Sequence, residues 1–182
     1  LFVDSANVKT IEEIVPLRII DGVTTNPSLL AKETGQPTET LRQICEAVKG
    51  PVSAEVVATD ANEMIREGKQ LAAINEHIVV KVPFGKDGVK ACAALASEGI
   101  RVNVTLVFSA SQAILAAKVG ATFVSPFVGR IDDLATDGMA LIAQIVEIYD
   151  NYDFGTEVLV ASVRGPVHVV EAARMGADIC TC

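Results

Sequence analysis

The chain has 182 residues, half of them hydrophobic, which is enough for one domain with a sizeable core. No apolar run approaches the ~20 residues needed to span a bilayer, and a net charge of −8 without a Lys/Arg cluster argues against membrane and nucleic acid as partners. Cys45, Cys92, Cys180 and Cys182 fit neither a zinc site nor a disulfide framework, so all four are expected as small buried apolar residues in a reducing cytoplasm, with no signal or targeting segment.

Strand-like and helix-like runs alternate from end to end. The first strand is expected at LFVDS (1–5), followed by helical spacing at Ile11, Ile14 and Val15. GVTTN (22–26) is the second strand, and Leu41, Ile44, Cys45 and Val48 then mark a helix face. VSAEV (52–56) precedes a helix start at Thr59–Asp60, with Met64, Ile65 and Leu71 on its apolar face. IVVKVP (78–83) and RVNVTLV (101–107) are the fourth and fifth strands; Ser109 then opens a helix carrying Ile114, Leu115 and Val119. ATFVSPF (121–127) is the sixth strand, and the next helix has Met139, Ile142, Ile145, Val146 and Tyr149 at its spacing. EVLVAS (157–162) and ADICTC (177–182) complete the set. Gly99, Gly120 and Gly176 stand just before strands, where helices take a glycine cap. Tyr149 and Tyr152 read as packing residues.

Alternating strands and helices imply a parallel sheet, and eight strands are the number that closes a barrel. An open doubly wound sheet is the rival, but it usually carries a glycine-rich phosphate turn after its first strand, and SANVKT has none. The expected fold class is α/β, a single-domain (β/α)8 TIM barrel over residues 1–182. The sequence reaches Cys182 straight after the eighth strand, where a barrel expects a covering helix, so a C-terminal helix is expected to be missing.

Lys81 sits in the middle of a valine-rich strand, where an ammonium costs several kcal/mol of desolvation unless it is paired or useful. Side chains alternate along a strand, so placing Lys81 inward fixes a face. The same reading turns inward Asp4, Thr24 with Asn26, Ser53 with Glu55, Asn103 with Thr105, Ser125 with Phe127, and Ser162, while Val3, Val23, Ala54, Val80, Val82, Val102, Val104, Leu106, Val124, Val158 and Val160 face the helices. Polar residues converging at the C-terminal ends of seven strands describe a site. A neutral lysine attacks a carbonyl to give an imine, which is an electron sink for C–C cleavage. Glu55 would move protons during carbinolamine formation and dehydration, and Asp4 would take a hydroxyl proton in the retro-aldol step.

Plainer readings stand beside these. Lys81 is a structural ion pair with Glu55 or Asp4, and Asn26, Asn103 and Thr105 taken singly are strand-end turn residues. Arg130 and Arg164 follow late strands, where barrels bind phosphate, or else pair with Asp132, Asp133 or Asp137. His77 and His168 lack metal-ligand companions, so neither metal nor cofactor is expected.

The strings VDSAN, DGVTTNPSL, VSAEV, IVVKVP, NVTLVFS, SPFVGRIDD and VLVASVR strongly resemble the small transaldolase family, which includes fructose-6-phosphate aldolase. The resemblance implies a Schiff-base lysine at Lys81, Asp4 as acid/base for the C–C step, and Glu55 with Thr105 holding a catalytic water. It further implies that Asn26, Asn103 and Ser125 bind a dihydroxyacetone unit, and that Arg130, Ser162 and Arg164 bind phosphate. Aldolase members are known for tyrosine where this chain has Phe127 and glutamine where it has Glu55, which favours transaldolase. Gly165 departs from the bulkier residue expected before Pro166 and bears on the stiffness of the loop at Arg164.

The expected activity is a transaldolase of the non-oxidative pentose phosphate pathway. It would pass dihydroxyacetone from sedoheptulose 7-phosphate to glyceraldehyde 3-phosphate, giving erythrose 4-phosphate and fructose 6-phosphate. A fructose-6-phosphate aldolase on the same lysine is the alternative, and a non-catalytic phosphosugar-binding barrel is the remote one. Sugar phosphates are the expected ligands. The resemblance implies a homo-oligomer, a pentamer or decamer joined through the C-terminal helix.

Overall fold

The computed structural model describes residues 1–182 and arranges eight parallel strands in sequential order, β1-β2-β3-β4-β5-β6-β7-β8. The strands are β1 (Phe2–Asp4), β2 (Gly22–Thr24), β3 (Val52–Glu55), β4 (Ile78–Pro83), β5 (Val102–Val107), β6 (Phe123–Pro126), β7 (Glu157–Val160) and β8 (Ile179–Cys180). A parallel bridge between Phe2 and Thr181 brings the last strand against the first, and the Asp4 N–H donates to the Cys182 carbonyl at 2.9 Å. The chain is an α/β (β/α)8 barrel, as its alternating pattern implies.

The helices are α1 (Val8–Ile14), α2 (Pro27–Leu30), α3 (Pro37–Val48), α4 (Ala61–Ala72), α5 (Lys86–Ser97), α6 (Ala110–Lys118), α7 (Val128–Asp132), α8 (Gly138–Tyr152) and α9 (Pro166–Met175). Their starts follow the capping signals: Asp60 accepts from the Glu63 N–H and Ser109 from the Gln112 N–H, each satisfying a donor that the first turn leaves free. Gly99, Gly120 and Gly176 hold positive φ at the ends of α5, α6 and α9, where a side chain would be strained.

Two apolar layers follow from strand alternation. Outward residues such as Val23, Val52, Val80, Val82, Val104 and Val124 pack against helix residues including Ile11, Leu41, Ile44, Leu95, Ile142 and Ile145 in the main core. Each fully buried side chain of this kind contributes roughly 1.5–3 kcal/mol. Inside the barrel a second cluster of Phe2, Val79, Phe123, Leu159, Ala161 and Ile179 fills the axis, with Phe2 set edge-on to Phe123. Polar residues occupy the positions above this plug, at the strand ends.

Four local expectations are corrected. In β5 the register slips between Val104 and Val107, and Leu106 takes φ +57, so Val107 rather than Leu106 occupies the outer core after Thr105. An extra residue in a bulge resets the alternation. The seventh strand ends at Val160, and Ser162, read as a strand residue, sits at φ +60 in the loop beyond. Cys182 is exposed rather than buried, because the outer layer closes with Cys180. Tyr152 is exposed and stacks on Phe154, whereas Tyr149 is buried and donates to the Ala113 carbonyl.

Candidate active site

A cavity of about 440 Å³ opens at the C-terminal ends of the strands. Asp4, Asn26, Lys81, Asn103, Thr105, Ser125, Phe127, Arg130, Ser162 and Arg164 all line it. These come from six different strands or the loops after them, so parity on isolated strands translates into one concave surface. Of the inward polar residues read from sequence, Ser53 and Glu55 lie outside the lining, yet Glu55 touches its central residue.

Lys81 is only 7% exposed, and its neighbours in register are Glu55 on β3 and Asn103 on β5. Its Nζ lies 3.0 Å from Glu55 Oε2 and donates to the Thr25 carbonyl at 3.0 Å. Of the two ion pairs considered from sequence, the structure therefore forms the one with Glu55. The ammonium is thus held by one hydrogen bond and one ion pair, and the side chain still reaches the cavity wall. A buried ion pair of this kind is weak evidence for stability, since apolar residues of similar volume hold a core equally well.

Asp4 stands on the other side of the cavity, exposed to it, and its Oδ1 accepts from the Thr24 hydroxyl at 2.7 Å. The Thr24 oxygen lies 2.7 Å from that of Thr181 on the far side of β1. Asn103 is fully buried and forms a belt across three strands: its Nδ2 donates to Ser53 Oγ at 3.1 Å, and its Oδ1 accepts from Ser125 Oγ at 2.8 Å. Thr105 is 1% exposed, and its hydroxyl has no protein partner, although it lines the cavity. Asn26 does the turn chemistry expected of it, capping α2 through the Leu29 N–H at 2.9 Å, and lines the cavity as well. Phe127 packs edge-on against Phe108 at the mouth.

The two arginines differ. Arg130, the basic residue in the last turn of α7, lines the cavity with an exposed side chain. Arg164 also lines it, but its guanidinium donates to Asp133 Oδ2 at 2.8 Å, the ion pair foreseen as its plainer role. Both groups are more than half exposed, so that pair is cheap to give up. The Arg164 N–H donates to His168 Nδ1 at 3.2 Å, while His168 Nε2 contacts Asp132 Oδ2 at 3.0 Å. Gly129 forms the floor under this arginine: a Cβ there would lie 2.3 Å from Arg164 Nε and 2.2 Å from the Ser162 carbonyl oxygen.

Thr181 and the Thr25 carbonyl escaped the sequence reading as parts of the site. Thr181 carried a usable signal, because it shares a strand face with Ile179, which points to the barrel axis. The Thr25 carbonyl had none, since backbone groups carry no residue-specific mark. His168 was weighed only as a metal ligand, and its contact with the Arg164 loop required the fold. No three His, Cys, Asp or Glu side chains converge to hold a metal ion.

The family model for transaldolase/fructose-6-phosphate aldolase matches residues 1–182. A probable transaldolase of Desulfosudis oleivorans is 57% identical over 180 residues, which cover 99% of this chain and 84% of the relative. Another, from Desulfatibacillum aliphaticivorans, is 62% identical over 181 residues with the same coverage. A third, from Myxococcus xanthus, is 59% identical over 181 residues, covering 99% of this chain and 81% of its own length.

Proposed function

The chain belongs to the transaldolase/fructose-6-phosphate aldolase family, and from that premise we propose that it is a transaldolase working through an imine at Lys81. The Lys81 amine attacks the ketose C2 carbonyl, and loss of water gives a protonated imine. The C3–C4 bond then breaks. Its electron pair enters the iminium as an enamine, the C4 hydroxyl proton goes to Asp4, and the aldose leaves. The enamine attacks the carbonyl of an incoming aldose phosphate, and hydrolysis frees the new ketose.

The observation that carries this reading is Lys81 itself, 7% exposed yet lining a polar cavity, with a carboxylate 3.0 Å from its nitrogen. Glu55 would take a proton from the Lys81 ammonium, leaving the neutral amine that attacks, and return one to the departing hydroxyl. A water shared by Glu55 and Thr105 fits the buried, unpartnered Thr105 hydroxyl. Asn26, Asn103 and Ser125 would hydrogen-bond the dihydroxyacetone unit. Arg130, Ser162 and Arg164 would hold the phosphate, with Arg164 exchanging Asp133 for it.

The donor and acceptor we assign are sedoheptulose 7-phosphate and glyceraldehyde 3-phosphate, giving erythrose 4-phosphate and fructose 6-phosphate in the non-oxidative pentose phosphate pathway. Phe127 favours transfer over release, because no phenol is present to protonate the enamine. A cytoplasmic setting, read from the cysteines, and a homo-oligomer, pentamer or decamer, implied by the resemblance, are part of the same proposal.

Borohydride reduction in the presence of fructose 6-phosphate, followed by peptide mapping, tests the chemistry. The expected result is a reduced dihydroxyacetone adduct on the peptide holding Lys81 and none in Lys81→Met. An adduct-free wild-type protein that is folded would overturn it.

A further inference from the structure

The hydroxyl of Thr24 stands between Asp4 Oδ1 and Thr181 Oγ1, 2.7 Å from each, and both threonines are nearly inaccessible at 3% and 5% exposure. A hydroxyl has one proton and can also accept. An ionised Asp4 only accepts, so the Thr24 proton must lie on the Asp4 side. The Thr24–Thr181 contact then has one possible sense: Thr181 donates. We propose that Thr181 is a positioning residue for Asp4, acting through the directed chain Thr181 to Thr24 to Asp4 Oδ1. The proposal rests on Asp4 as the base of the C–C step.

The strand register explains why three strands are needed. Asp4 and Thr24 are direct partners across β1 and β2, which gives one constraint on the carboxylate. Thr181 arrives from β8 on the opposite side of β1, where Phe2 and Thr181 bridge, the Asp4 N–H donates to the Cys182 carbonyl and the Cys182 N–H donates to the Phe2 carbonyl. The seam that closes the barrel thus also orients the base. Oδ1 accepts from the chain of hydroxyls and Oδ2 accepts from no protein group, so Oδ2 is the oxygen assigned to take the C4 hydroxyl proton. The balance is unaffected: the substrate proton passes to Oδ2, the C3–C4 electron pair passes to the iminium, and the relay gains and loses nothing.

A packing role would be filled as well by valine, which matches threonine in shape and suits a barrel interior that already holds Val79. The alternatives therefore separate cleanly. Thr181→Val and Thr181→Ala remove the donor, and Thr181→Ser keeps it. Each is compared with the unsubstituted protein for unfolding midpoint, for borohydride-trapped adduct with free dihydroxyacetone, and for single-turnover release of glyceraldehyde 3-phosphate from fructose 6-phosphate. Trapping with free dihydroxyacetone needs the lysine but no bond cleavage.

Expected are a release step slowed roughly tenfold in the valine and alanine variants, unchanged adduct yield, and recovery in Thr181→Ser. Should valine fold poorly, alanine carries the same test. Release at the unsubstituted rate in a donor-free variant overturns the relay, as does a Thr181→Ser protein as slow as Thr181→Val, or a parallel loss of adduct. A folded unsubstituted protein that traps no dihydroxyacetone overturns the Lys81 reading as well, a result distinct from failure of the relay alone.

Discussion

In the proposed mechanism Phe127 would decide what becomes of the enamine. It lines the cavity, packs partly against the apolar plug and is braced by Phe108 at 6.0 Å between ring centroids. A phenylalanine there offers no proton, so under the proposed mechanism the enamine would wait for an aldehyde. Phe127→Tyr adds a hydroxyl to a ring that lines the cavity. The expected outcome is increased dihydroxyacetone release from fructose 6-phosphate without acceptor, measured in a coupled assay; release at the wild-type rate would remove Phe127 from any role in that partition. At this scale the residues most legible in sequence were charged or hydroxylated side chains in apolar strands, because their cost in such a place is large. Lys81 is the clearest case. Thr181 was obscured because ADICTC holds no charge to draw attention to it.

Three strands are divided in two, with an apolar inner residue below and a polar one above: Phe2 and Asp4 on β1, Val79 and Lys81 on β4, Phe123 and Ser125 on β6. Leu159 on β7 marks the boundary: it is fully buried in the interior cluster and also forms part of the cavity floor. Leu159→Ala should cost ~2–5 kcal/mol in unfolding free energy, read from denaturant titration, since the closed ring of strands limits how far the hole can collapse. A loss below this range would mean that Phe2, Phe123 and Ile179 repack into the space. Strand β4 was legible to its ends, 78–83, because isoleucine and valine fill it on either side of Lys81. The bulge in β5 was not, because VNVTLV is as regular in sequence as its neighbours. Only pairing with β6 shows where the extra residue sits. The conformation of Ser162 was hidden in the same way, since the strand-like EVLVAS gives no sign that the chain turns after Ala161.

The molecule has a working face and a structural one. The cavity occupies the C-terminal ends of the strands, whereas Glu157 and Asp178 adjoin a small pocket near the opposite ends of β7 and β8. Burial, and then the neighbouring Asp178, push the Glu157 carboxyl above its usual range. A raised value means that the folded protein holds its proton more tightly than the unfolded chain. Its contribution to stability is therefore full below the unfolded value, near pH 4, and lost as pH rises through the folded one. Glu157→Gln should raise the unfolding temperature at neutral pH, where the wild-type group is charged, and give no gain in acid. An equal shift at both pH values would assign the effect to packing instead. For a chain of net charge −8, removing one crowded carboxylate also reduces self-repulsion at neutral pH.

The sequence by itself determined the barrel, the face on which polar groups gather and the lysine at its centre. Those features depend on period-two alternation and on the cost of burying charge, both local properties of a strand. The tertiary structure decided which partners those groups choose. Lys81 pairs with Glu55 and the Thr25 carbonyl rather than with Asp4, Asn103 is held between Ser53 and Ser125, and Asp4 is linked through Thr24 to Thr181 across the closing seam. Pairing across strands depends on register, bulges and ring closure, which are set by all eight strands together and leave no mark on any one of them.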